Sequence, residues 1–109
     1  MLEAMWTLRY ERPGVDRGAG VMVLESGRLF GGDSGFSYLG EYRVENGQLI
    51  AKVHVSRHSS LVPNIFGRDE VQITLTGAIG HQQMTLIGAP VDMPQAKLVV
   101  IATRKADLP

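Results

Sequence analysis

Asn46-Gly47 lies between two runs in which apolar and polar side chains alternate, Tyr38 to Glu45 and Gln48 to Arg57. A type I′ turn needs positive φ at both central positions, which Asn-Gly supplies, so this dipeptide is a strong hairpin signal. Counting outward from the turn pairs Val44 with Leu49, Tyr42 with Ala51, Gly40 with Val53 and Tyr38 with Val55, and this face is apolar. On the other face Glu45 meets Gln48, Arg43 meets Ile50, Glu41 meets Lys52 and Leu39 meets His54. Opposite charges fall across from one another there, and that face reads as mostly wet. A slip of one residue would turn every side chain to the wrong face, so two faces that sort together fix the register.

The same alternation continues on both sides of the hairpin. Ala4, Trp6, Leu8 and Tyr10 alternate with Thr7, Arg9 and Glu11 as a half-buried strand, stopped by Pro13-Gly14. The run Gly14 to Gly20 reads as a loop or a bulged strand entry, followed by the strand Val21 to Leu24. A phosphate-cradling reading of these glycines fails on context, because such loops open a helix and a strand follows here. Ser26-Gly27 turns the chain into Arg28-Leu29-Phe30, and Gly31-Gly32-Asp33 forms a corner. From His58 to Arg68 no period of two survives, which predicts the longest loop, with a helical turn around Leu61 to Phe66 capping a barrel. Val71, Ile73 and Leu75 form another strand, Gly77 to Gln82 a turn, and Met84 and Leu86 a strand ending at Gly88-Ala89-Pro90. The last strand, Lys97 to Thr103, carries consecutive Leu98-Val99-Val100-Ile101, so both of its faces are expected to be covered.

Eight short strands with mostly short connections predict an all-β fold, a small eight-stranded antiparallel up-and-down barrel of lipocalin type that closes to remove its edges. With 109 residues the chain forms one domain, 1–109. Eleven basic residues balance eleven acidic ones, so no net field recruits nucleic acid or an anionic membrane. There is no cysteine and no apolar run of membrane-spanning length, and Met1-Leu2-Glu3 lacks the regions of a signal peptide, so a cytoplasmic location is expected.

No constellation points to catalysis, a cofactor or a metal. Gly32-Asp33-Ser34-Gly35 looks like the nucleophile segment of trypsin-like proteases, but His54, His58 and His81 all follow the serine, whereas that chemistry places its histidine and aspartate before it. The corner is better read as Asp33 hydrogen-bonding local backbone. His54 and His58 are four apart, about 13 Å on a strand, too far to share one metal ion.

The order of features resembles the GrlR-like family of negative regulators of type III secretion gene expression. The resemblance is carried by the N-terminal Trp6/Tyr10 strand, Gly18-x-Gly20 before Val21 to Leu24, Gly31-Gly32-Asp33, Tyr38-x-Gly40-x-Tyr42 and Val53-x-Val55-x-Arg57-His58, with weaker matches at Leu75-Thr76-Gly77, Gly88 and Thr103-Arg104. It implies an eight-stranded lipocalin-like barrel that forms homodimers and sequesters a transcriptional activator by protein contact. Well-known members carry an acidic Glu-Asp-Glu-Asp run after the central strand, where this chain has Glu45-Asn46-Gly47. Glu45 is therefore the sole candidate for partner binding there.

The leading expectation is a non-enzymatic cytoplasmic regulatory protein acting through protein–protein contact as a homodimer. Its dimer contact is expected at the outward side chains of the last strand, which are either Leu98, Val100 and Ala102 or Val99 and Ile101, with Val99 and Ile101 taken as the candidates and Met22 or Leu24 as neighbours. The alternative is a calycin-like carrier of a small hydrophobic ligand, since eight-stranded barrels can hold one inside. A calycin-type enzyme ranks third. Trp6, Tyr10, Phe36, Tyr38, Tyr42 and Leu49 all point inward in this register and are bulky enough to fill a barrel this short.

Overall fold

A computed structural model describes residues 2–12, 16–60 and 67–109. Its strands are β1 (Ala4–Arg12), β2 (Asp16–Glu25), β3 (Arg28–Gly32), β4 (Phe36–Glu45), β5 (Gln48–Arg57), β6 (Glu70–Ala78), β7 (Gln83–Pro90) and β8 (Leu98–Asp107). Each strand pairs antiparallel with the next, and β8 returns to β1, giving a closed eight-stranded up-and-down barrel. Closure gives every one of these strands a partner on both sides, which removes the edges that would pair with another chain.

The central hairpin has the expected register, from Glu45 opposite Gln48 to Tyr38 opposite Val55. Its turn holds Asn46 at φ 51° and Gly47 at φ 74°, the positive pair that a type I′ turn requires. Ser26 and Gly27 repeat this at φ 49° and 81°. Both turns are anchored by a neighbouring part of the chain: Tyr42 N–H, within β4, donates to the Gly27 carbonyl, and Ile79 N–H, just past β6, to the Gly47 carbonyl, each at 2.9 Å.

Alternation fills the interior. Trp6, Leu24, Leu49 and Leu86 are 0% exposed, and Met22, Leu29 and Met84 nearly so. The one polar group of Trp6 is satisfied, its Nε1 donating to the Leu2 carbonyl at 3.0 Å. Tyr10 and Tyr42 are half-buried and pack against the same core. Val44 departs from the dry face at 50% exposure. The pairing of β3 with β4 begins at Arg28 opposite Glu41, so Val44 lies beyond β3 and has a sheet neighbour on one side only.

Several boundaries differ from expectation. β2 begins at Asp16, so Gly18 and Gly20 lie within a strand, and β6 continues to Ala78, through the expected turn at Gly77. β8 extends to Asp107, with a bulge where Trp6 pairs Arg104 but Met5 pairs Ala106. Met22 and Leu24 are not on the outer surface. They pair with Trp6 and Ala4 and share the inward face, at 1% and 0% exposure, so they cannot flank Val99 and Ile101 outside the barrel. The outward residues of β2 are Val21 and Val23. The expected cap over 61–66, and Gly14 of the glycine run, lie outside the described residues.

Candidate functional site

The densest polar constellation sits at the corner between β3 and β4. Asp33 N–H donates to the Phe36 carbonyl at 2.9 Å, closing the turn. Its Oδ1 accepts from Gly35 N–H at 2.9 Å and Phe36 N–H at 2.8 Å, as a short carboxylate does in an Asx-type turn. Its Oδ2 accepts from the hydroxyls of Tyr10 and Tyr38, each at 2.5 Å, which come from inside the barrel. Glycine makes room for both rings. A Cβ at Gly18 would stand 2.6 Å from Tyr10 Cζ, and one at Gly20 would stand 2.8 Å from the Tyr38 hydroxyl.

Burial and this geometry act on the three groups together. Burial pushes the Tyr10 phenol up to about 12, with the hydrogen bond to Asp33 adding to it. Burial also raises the Tyr38 phenol, again with help from its bond to Asp33. Burial alone would raise the Asp33 carboxyl, but the hydrogen bonds from Tyr10, Tyr38, Gly35 and Phe36 outweigh it and hold the group below the usual carboxylate range. The result is an anion held by neutral donors that ties two barrel strands to a loop.

The corner is built for anchoring. Both Asp33 oxygens are engaged, while His58 Nε2 lies 3.0 Å from the Asp33 carbonyl and its backbone N–H donates to the Gly35 carbonyl at 2.9 Å. Ser34 is exposed. A nucleophile needs its base within hydrogen-bond reach, and the Asp33 carboxylate and His58 Nε2 have these other partners. His54 faces Glu70 on the outer wall, Nε2 to Oε1 2.8 Å. Among the described residues no group of three His, Cys, Asp or Glu side chains is placed to hold a metal ion. At the opposite end, Glu3, His81, Gln82, Arg104, Asp107 and Leu108 line an open cleft of about 550 Å³. Its Arg104 donates to Asp107 at 2.8 Å and lies 5.7 Å from the centroid of the Trp6 ring.

The outer wall is the more distinctive surface. Pairing lines up Met5, Val23, Phe30 and Leu39 in one continuous cross-strand row over β1 to β4. Met5 is 39% exposed, Phe30 37% and Leu39 60%. Beside it runs a charged row in which Glu25 pairs Arg28, Arg28 pairs Glu41 and Glu41 pairs Lys52. Val99 and Ile101 do point outward, as expected, but are half-buried, and the exposed apolar residue beside them is Ile87, which pairs Val99. Glu45 is exposed at the hairpin end, with Arg43 Nε 3.0 Å from its carboxylate.

The row over β1 to β4 was not picked out by reading the strands singly. Its signal is an apolar residue at a polar-parity position, Met5, Val23, Phe30 and Leu39 in turn, and it becomes visible only once the register aligns them. No helix among the described residues is long and apolar enough to cross a membrane. No protein-family model matches the chain, and no curated protein matches it.

Proposed function

We propose that this barrel is a non-enzymatic, cytoplasmic regulatory protein that acts as a homodimer through protein–protein contact, with a transcriptional activator as its partner. The observation that carries the reading is the apolar row Met5, Val23, Phe30 and Leu39 on the outer wall, exposed at Met5, Phe30 and Leu39 and half-buried at Val23, since a contiguous apolar strip facing solvent marks a contact surface. The interior supports contact outside over cargo within, because Trp6, Met22, Leu24, Leu29, Met84 and Leu86 bury one another there. The resemblance to GrlR-like regulators supplies the partner class, and equal numbers of acidic and basic residues argue against direct binding of nucleic acid. Glu45 is the acidic residue available at the position where those regulators engage their activator.

Light scattering of the full chain at micromolar concentration should report twice 11.9 kDa. In a reporter strain, co-expression with an activator encoded beside its gene should lower that activator's output. A particle of single-chain mass, or unchanged reporter output, counts against the reading.

A further inference from the structure

We propose that the outer face of β3 and β4 is the surface on which two copies of this chain meet, about a two-fold axis that lies just outside that face, over the line midway between the strands and parallel to them. This rests on the homodimer reading above and names its face. Phe30 stands opposite Leu39, and Arg28 opposite Glu41, so an apolar pair and a charged pair are centred on the same line between the strands. Rotation about an axis over that line sets β3 against β4 of the second copy. Phe30 then meets Leu39 of the second copy, and Arg28 meets its Glu41. One strand further out, Glu25 meets Lys52.

The charges favour a second copy over an unrelated partner. Across β2 to β5 the row reads Glu25, Arg28, Glu41, Lys52, alternating in sign, and a row of four alternating charges reversed on itself sets every negative against a positive. An isologous contact requires such self-complementarity. The apolar centre requires it too, and Leu39 stays 60% exposed in the single chain. A barrel wall is convex, so the contact falls away beyond β2 and β5 and is confined to those four strands. The strip of Ile87, Val99 and Ile101 lies on the opposite side of the barrel and is left free.

Sedimentation of the full chain over a concentration series tests the face, with near-ultraviolet circular dichroism reporting the fold of each variant. Leu39→Asp should weaken the dimer by at least about tenfold, as expected for a central anchor. Arg28→Glu and Glu41→Arg should each weaken it alone. Mixed in equal amounts, these two variants should dimerise with one another, because at both contacts a carboxylate of the first then faces a guanidinium of the second; recombination also requires that each be folded. Val99→Asp with Ile101→Asp should leave the dimer intact. A dimer that survives Leu39→Asp and both reversals, or one broken by the β8 substitutions instead, overturns this face while leaving the homodimer reading standing. Wild-type protein that sediments as a single chain at every concentration overturns both.

Discussion

At the Asn46–Gly47 turn glycine supplies a backbone angle, whereas at Gly18 and Gly20, in the middle of β2, it supplies room. Gly47 sits at φ 74° with nothing within 4 Å of where a Cβ would be, so any cost of a side chain there is angular. Gly18 has an ordinary strand conformation, but the ring of Tyr10 occupies the place of its Cβ. The first glycine answers to its immediate neighbours in the chain. The second answers to a tyrosine on another strand, which is there because Asp33 on a third element holds its hydroxyl. A turn is thus a local device, while the corner is a tertiary one that takes its strength from four donors converging on one carboxylate.

The largest effect should come from removing the carboxylate. Asp33→Ala leaves the Tyr10 and Tyr38 hydroxyls and the Gly35 and Phe36 N–H groups without their acceptor. Hydrogen bonds to a charged group contribute about 1.5 to 3 kcal/mol each but are not additive, so a loss of about 3 kcal/mol in denaturant unfolding is expected. A loss under about 1 kcal/mol would show that the corner is no more than a surface turn.

Next in size is Gly18→Ala, which forces a methyl group against the Tyr10 ring and should cost about 2 kcal/mol as an overpacking substitution. Tyr10→Ala in the same chain should relieve the clash, so the two changes should couple strongly in a double-mutant cycle. Additive losses would mean that the glycine serves some purpose other than making room. Gly47→Val sharpens the contrast from the other side. A β-branched residue at positive φ should cost about 1 to 2 kcal/mol, and Gly47→Asn should restore most of it because Asn tolerates that region. Asn should be no remedy at Gly18, where it too places a Cβ against the ring.

The same distinction explains what could be read from the chain. Turn chemistry and period-two alternation act between near neighbours, so the hairpin register, the count of eight strands and the anchoring of Asp33 to local backbone were legible. The reason for Gly18 and Gly20 was not, because strand propensity argues against glycine, and that reason lies in Tyr10 and Tyr38, whose convergence no spacing reveals. Met22 and Leu24 went astray on a question of parity. Alternation within Val21 to Leu24 is invisible when every residue is apolar, and only pairing with Trp6 and Ala4 tells which two face inward. The apolar row on the outer wall is hidden for the same reason: each member is one residue on a different strand.

The smallest expected effect is a dependence on pH that the corner should show and the hairpin turn should not. The Asp33 carboxyl is held below its unfolded value, so its contribution is complete above about pH 4 and is lost as the pH falls through the lower folded value. The tyrosines work in the opposite direction. Tyr10 is raised from 10.0 to about 12, so in the folded protein it keeps a proton that the unfolded chain has released. Its contribution is complete below pH 10 and is lost as the pH rises toward about 12. Because Tyr10 is only half-buried, solvent screening limits its share to about 1 kcal/mol. Denaturant midpoints compared at two alkaline conditions, one on each side of the Tyr10 transition, should therefore fall for the wild type and fall less for Tyr10→Phe, which has no phenol to titrate. Lysines that lose charge over the same range are common to both proteins and cancel in the difference. Equal falls would mean that the Tyr10–Asp33 bond is not coupled to folding, and would reduce the corner to a local turn like the one at Asn46–Gly47.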